Sequence, residues 1–192
     1  MKKYFLKSKE LYLFDSVYEP REDSFLLAES VSIKKGSSVL DLGTGSGIQG
    51  INALLLGAGK VTASDINSEA LKNFSMNAEK LGFKNFECIE SNLFEKIRGK
   101  FDAIIFNPPY IPAEKIKFID LDGGKKGREV LDGFLEKFDE YLNEGGVCFF
   151  LQTDLNGAAE TEKILKKKNL KFEIIARKKL FFEELLVFRV EK

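Results

Sequence analysis

The sequence predicts an α/β domain built on a seven-stranded, mostly parallel sheet, with helices on both faces and an antiparallel last strand. Three observations predict it. Short runs rich in Val, Ile and Phe alternate with segments of helical spacing, the pattern of βαβ units. Glycines follow the first of these runs or stop the helices, at residues 43–47, 57–59 and 82. The runs at 101–106 and 146–151 are apolar at nearly every position, as in strands buried on both faces.

The elements follow in order. Residues 1–19 alternate charged with aromatic and aliphatic side chains and read as a short strand or hairpin lying on the domain. Pro20 leads into a helix with acids in its first turn and an apolar face of Phe25, Leu26, Ala28 and Val31, ended by Lys35 and Gly36. A strand at 38–42 runs into Gly43-Thr44-Gly45-Ser46-Gly47, and a helix follows over 48–56. The next strand covers 61–66. Asn67 or Ser68 caps a helix to about residue 81, with Gly82 as its stop. Strands at 86–90 and 101–106 come next. Beyond a loop at 111–124, Val130, Leu131, Phe134, Leu135, Phe138 and Tyr141 share one helical face over 128–142. A strand at 146–151, a helix at 158–168 with a basic end that suits its dipole, and strands at 172–176 and 185–190 complete the chain. The last two lie so close together that one of them runs antiparallel.

Length and composition narrow the chemistry. The 192 residues fit one domain, 1–192, with enough apolar content (44%) for a proper core. Lys plus Arg and Asp plus Glu each number 30, so the net charge is zero. A protein that grips duplex nucleic acid by its own electrostatics needs a basic footprint instead. Histidine is absent, which excludes imidazole bases, Ser-His triads and His-ligated zinc from this chain's own chemistry. Cys88 and Cys148 sit singly in apolar runs and read as buried, inert thiols; no metal site is expected. No apolar run reaches membrane-spanning length, and lysines interrupt the amino terminus too soon for a signal peptide, so a soluble cytoplasmic protein is expected. Most of the 18 phenylalanines must be core, and a surplus would mark a partner surface.

Two stretches carry the functional signal. The strand at 101–106 ends in Phe106-Asn107-Pro108-Pro109-Tyr110. Neither proline offers a ladder N–H, so the strand must stop there in a stiff loop, at the sheet edge where α/β proteins bind ligands. Gly43, Gly45 and Gly47 lie directly between a strand and a helix, where a glycine backbone can approach a ligand closely and the helix N–H groups make the place polar. The spacing is GxGxG and not the GxGxxG of dinucleotide sites. Asp41, just before the glycines, would meet an ammonium group directly or through water, and Asp65, ending the second strand, would accept from ribose hydroxyls. A ligand with an amino acid end and a ribose fits both acids, and S-adenosylmethionine is the common molecule of that kind.

These residues resemble class I methyltransferases, whose first motif reads like residues 41–47, and the Asn-Pro-Pro-Tyr sequence resembles that of amino-group methyltransferases within the class. Val17-Tyr18-Glu19-Pro20-Arg21-Glu22-Asp23-Ser24 and Gly123-Gly124-Lys125-Lys126-Gly127-Arg128-Glu129-Val130-Leu131-Asp132 further resemble the HemK family of release-factor glutamine methyltransferases. The likeness covers almost the whole chain from Val17, with the motifs in the family's order. About 36 residues precede the first strand, a likeness to the stand-alone archaeal and eukaryotic branch. Members of that branch methylate the glutamine of the Gly-Gly-Gln loop in a class 1 translation termination factor, with a small zinc-binding activator subunit as partner. The resemblance implies a Rossmann-like sheet with residues 1–35 covering the cofactor site. It implies that Ser24 touches the methionine end of S-adenosylmethionine, that Asp41 and Gly43 hold its amino acid part, that Asp65 takes the ribose, and that Gly45 and Ile66 also belong to the cofactor site. Leu93 would lie near the adenine beside Asn92, which stands where the family usually has an acid; an amide oxygen can still accept a bond there, without the charge.

The expected mechanism places a planar substrate amide against Asn107, Pro108, Pro109 and Tyr110. The Asn107 side-chain oxygen and the Pro108 carbonyl each accept one N–H, Tyr110 lies against the flat amide, and S-adenosylhomocysteine is left as product. The loop at 111–124 with Gly123 and Gly124 would border the substrate, while Lys125, Lys126 and Arg128 read as a solvated helix start. The strand at 86–90 is expected at the sheet edge, where the activator would add a strand. An adenine exocyclic amine in DNA or RNA, or a protein lysine, remain alternatives. The first needs a nucleic-acid grip and the second gains little from a planar clamp.

Overall fold

The computed structural model describes residues 1–112, 123–124 and 126–192. The amino-terminal hairpin is β1 (Lys2–Leu6) paired antiparallel with β2 (Lys9–Leu13). Then come α1 (Glu22–Ser30), β3 (Ser38–Leu42), α2 (Ile48–Leu55), β4 (Lys60–Asp65), α3 (Ser68–Lys80), β5 (Phe86–Glu90) and β6 (Phe101–Phe106). The second half runs α4 (Glu129–Lys137), β7 (Leu142–Thr153), α5 (Ala158–Lys167), β8 (Lys171–Lys179) and β9 (Glu184–Glu191). The main sheet has the order β5-β4-β3-β6-β7-β9-β8, and β9 alone runs against the other strands.

Alternate residues on the central strands face two separate cores. Val39, Ile105 and Phe149 pack toward α1, α2 and α3, while their neighbours Leu40, Ile104 and Phe150 pack toward α4 and α5. Much of the phenylalanine surplus is spent on the second face, where Phe94, Phe106, Phe134, Phe138, Phe150 and Phe188 form a chain of ring contacts. The hairpin lies on α3 because two buried asparagines there replace a missing neighbour strand. Asn77 accepts from Tyr12 N–H and donates to Tyr12 C=O, both at 2.8 Å, and Asn73 accepts from Phe14 N–H at 2.8 Å.

Several boundaries differ from the sequence reading. α1 ends at Ser30, five residues before the expected Lys35, because Val31 turns extended with its N–H bonded back to Leu27. Its buried face is Asp23, Ser24, Leu27 and Ala28, while Phe25 and Leu26 are half-buried. The helix predicted over 128–142 stops at Lys137, tightens into a 3-10 turn over Phe138–Tyr141, and yields to the longer β7. Cys148 is buried, but Cys88 is exposed, because β5 occupies the sheet edge. Asn67 is the cap of α3, accepting from Glu69 N–H at 3.0 Å.

Candidate active site

β3 sits between β4 and β6, so the chain leaves it toward one side and returns on the other, and a crevice opens at the carboxyl ends. Register decides what meets there. Leu42 pairs with Phe106 and with Ser64, so the loop after β3, the end of β4 and the Asn-Pro-Pro-Tyr stretch emerge side by side. They line a cleft of about 740 Å³ together with Val17, Tyr18 and residues 21–24 from the amino-terminal segment.

On the β6 side, Pro108 is buried and Asn107, Pro109 and Tyr110 are half-buried in the wall. The Asn107 amide is held by its nitrogen: Nδ2 donates to Asp23 Oδ2 at 3.0 Å and to Ser24 Oγ at 3.4 Å. Its other end, Oδ1, is buried and has no partner among the described residues. Asp23, 3% exposed, also receives the Tyr18 hydroxyl and Ser24 Oγ, each at 3.3 Å. Ser24 is thus at the cleft as expected, but the residue that organises this corner is Asp23, which the sequence reading left as an acid of the helix's first turn. Burial, then the charge of Asp23, pushes the phenols of Tyr18 and Tyr110 well above their ordinary values, so both stay protonated at neutral pH.

The exit of the motif is pinned from behind. Asn156 Nδ2 donates to the carbonyls of Tyr110 (2.9 Å) and Gly127 (3.0 Å), while its Oδ1 accepts from Thr153 N–H and Oγ1. Gly123 and Gly127 are buried against this segment; a Cβ on either would strike the backbone carbonyl of Pro109 or Tyr110. The role of these glycines is therefore close backbone packing under the motif. Residues 113–122 of the expected substrate border, and Lys125 of the expected solvated helix start, lie outside the described residues. Arg128 is not a solvated residue. Its guanidinium is mostly buried, pairs with Asp132 at 2.7 Å, and donates to the carbonyls of Asn156 and Gly157.

On the β3 side, Gly43, Gly45 and Gly47 all have positive φ (63°, 50° and 85°). They serve different ends. A Cβ on Gly47 would press on Phe74 at 3.1 Å, whereas one on Gly45 would meet nothing nearer than the Gly43 carbonyl at 3.9 Å. Gly45 lines the cleft, so the space it leaves is space for a ligand. Asp41 is 1% exposed and stands behind this wall. Its Oδ2 accepts Thr44 Oγ1 at 2.5 Å and Gly50 N–H at 2.8 Å, bracing the turn from within. Burial, only partly offset by these two bonds, raises its carboxyl to about 7. Asp65 reaches the cleft and anchors the loop from the other side, accepting Gly45 N–H and Asn67 N–H at 2.8 Å each. Ile66, Asn92 and Leu93 continue the wall. Ile66 is 49% exposed, Leu93 adopts φ 44°, and Asn92 Nδ2 donates to Glu95 at 2.9 Å, leaving an acceptor oxygen as the other end of the amide.

A glycine-lined crevice at this switch point, with the Asn-Pro-Pro-Tyr stretch in its opposite wall, belongs to the class I S-adenosylmethionine-dependent methyltransferases. Solved structures agree. A chain of the E. cuniculi Mtq2–Trm112 complex, described as responsible for methylation of the eRF1 translation termination factor, superposes with TM-score 0.75 at 25% identity, over 92% of this chain and 99% of that one. Residues 21–182 match the family model described as the methyltransferase small domain. A protein of Methanocaldococcus jannaschii provisionally named a protein N5-glutamine methyltransferase is 45% identical over 184 residues, 93% of each chain. The release factor glutamine methyltransferase of Agrobacterium fabrum is 38% identical over 62% of this chain, which spans about half (48%) of that protein. The chain belongs to the small-domain methyltransferases and, among them, to the HemK family of protein glutamine methyltransferases.

Proposed function

We propose that this chain transfers a methyl group from S-adenosylmethionine to the side-chain amide nitrogen of a glutamine in a class 1 translation termination factor, with S-adenosylhomocysteine as the other product. What its relatives are named for supports the substrate. The observation that carries the chemistry is the Asn107 amide, tied down at nitrogen by Asp23 and left with a buried, unpartnered oxygen. A glutamine amide is flat and presents two N–H donors. Asn107 Oδ1 and the Pro108 carbonyl would accept one each, turning the nitrogen toward the donor.

An amide nitrogen is a weak nucleophile because its lone pair is delocalised, so the site must supply alignment and stabilise the positive charge that grows on nitrogen. Alignment contributes on the order of 7–11 kcal/mol in well-ordered cases, and a well-placed polar partner about 2.7–4 kcal/mol. Tyr110, protonated and half-buried, would cover the face of the amide, and the N–H proton that the nitrogen sheds as the N–CH3 bond replaces the S–CH3 bond would pass to solvent water.

S-adenosylmethionine supplies an electrophilic methyl group. The chain's residues fit it on structural grounds: Gly45 leaves an open backbone cradle in the cleft wall, and the Asp65 carboxylate stands beside it, bonded to the turn. In this reading Ser24 borders the methionine end and Asp65 with Ile66 the ribose, with Asn92 and Leu93 beside the adenine. Asp41 acts on the amino acid end through the turn it braces. Residues 1–35 close that side of a single catalytic unit that works in the cytoplasm, where termination takes place. A small zinc-binding activator subunit would add a strand along the β5 edge, where Phe86 and Ile89 are half-buried and Cys88 is exposed.

The deciding experiment incubates the chain, co-purified with such a subunit, with methyl-labelled S-adenosylmethionine, a class 1 termination factor and a mixed nucleic-acid pool. Label is expected on the factor and absent when the glutamine of its Gly-Gly-Gln loop is replaced by alanine. Label on adenine in the pool instead would overturn the reading.

A further inference from the structure

The turn joining β8 to β9 holds a feature that methyl transfer itself does not use. Leu180 and Glu183 line the cleft, and Leu180 N–H donates to the Glu183 carbonyl at 2.8 Å, closing a tight turn. The two residues between them face solvent: Phe181 is 93% exposed and Phe182 85%, packed edge-on with ring centroids 4.7 Å apart. The pair begins where the cleft wall ends. Ile111, 44% exposed, follows Tyr110 in that same wall and adds an apolar side chain to the Asn-Pro-Pro-Tyr side of the mouth.

We infer that the β8–β9 turn is a docking element for the protein substrate, seating an apolar side chain that flanks the methylated residue on Phe181 and Phe182 while the target side chain enters the cleft. The inference rests on the function proposed above. A glutamine side chain is short, so its own backbone must come to the mouth of the cleft and its neighbours must lie on the rim. Continuity then identifies the occupant: whatever reaches Asn107 from that side passes Leu180 and Glu183, and its flanks fall on the two rings.

Charge favours polypeptide over nucleic acid. Glu183 stands in the wall, its carboxyl raised chiefly by burial, then by Asp154 and Asp23, and Glu184 follows it. Arg177, the nearest arginine on β8, is already paired with Glu184 at 3.0 Å. Phosphates would meet these acids, and among the described residues Arg21 in the cleft wall and the exposed Lys178 and Lys179 are the cations near enough to attract them.

The test compares wild type with a Phe181→Ser/Phe182→Ser double variant and a Phe181→Leu/Phe182→Leu double variant. It measures KM for the termination factor, direct binding of the factor, cofactor affinity, Tm and oligomeric state. The serine variant should raise KM and weaken factor binding by about tenfold or more, with Tm and cofactor affinity as in wild type because neither ring is buried. The leucine variant should recover most of the loss. Unchanged KM and binding in the serine variant, with an active wild type, overturns the docking role alone. A wild type that never methylates the factor overturns the function and this inference together. Loss of affinity for single-stranded RNA instead of the factor, or conversion of a dimer to a monomer, assigns the rings to another occupant and also overturns it.

Discussion

The two walls of the cleft treat their polar groups in opposite ways. In the wall after β3, the carboxylates of Asp41 and Asp65 both serve the glycine turn itself, accepting from Thr44, Gly50, Gly45 and Asn67. That wall is rigid backbone held from behind, and it offers shape. In the wall after β6, Asp23 and Ser24 hold only the nitrogen of Asn107, and its buried oxygen finds no partner among the described residues. A buried acceptor without a bond costs about 1–3 kcal/mol, a cost a folded protein bears where a ligand will complete the set. Gln49 Oε1 in the same cleft and Ser64 Oγ beneath it are likewise buried without a partner among the described residues, so the contrast lies in the carboxylates: Asp41 and Asp65 brace backbone, and Asp23 holds one side chain.

The sharpest way to break this comparison is Asn107→Ala. It should lower kcat by about 10²–10³, the equivalent of roughly 2.7–4 kcal/mol, while cofactor affinity measured by calorimetry changes little. Near-normal turnover would mean that the unpartnered oxygen is incidental. Next in size is Asp23→Asn. The amide keeps one acceptor oxygen but can also present a donor, so the acceptor-only charge that fixes which end of the Asn107 amide is held is lost. A kcat loss of about 10–100-fold, with KM nearly constant, follows from a charged hydrogen bond of about 1.5–3 kcal/mol; a loss confined to Tm would make Asp23 a packing residue.

The β3 wall is tested by two glycines. On Gly50 a Cβ would press on Phe74 at 2.6 Å and Asp41 at 2.9 Å, so Gly50→Ala should lower stability by about 1–3 kcal/mol in denaturant melts. On Gly45 it would meet only open space, so Gly45→Ala should cost about 1 kcal/mol of backbone strain and show chiefly as weaker cofactor binding. Equal melts for the two variants would erase the distinction.

The smallest step is a pH slope. The folded Asp41 carboxyl titrates at about 7 and the unfolded one near 3.8, so the native state holds the extra proton between those values. Stability should therefore fall as pH rises from about 4 to 7, by up to about 1.4 kcal/mol per pH unit, and level off above. Asp41→Asn should flatten that slope.

Strand ends and the two motifs were legible because proline and glycine interrupt apolar runs for steric reasons that need no tertiary context. The end of α1 was not, since no glycine or proline marks Ser30 and Val31 simply turns extended. Cys88 misled because Phe86 and Ile89 beside it look like core, and only its edge position exposes it. Arg128 looked solvated because the carbonyls it binds belong to residues 28 and 29 positions away.

The sequence by itself determined the layered α/β sheet, the places where strands must stop, and the residue types present at those ends, since local sterics and hydrophobic period act over a few residues. Only the tertiary structure decided that Asp41 turns inward, that Asp23 reaches Asn107 from 84 residues away, and that Phe181 and Phe182 stand at the cleft mouth. Those outcomes depend on strand register and burial, which arise when distant segments pack and which short-range pattern does not encode.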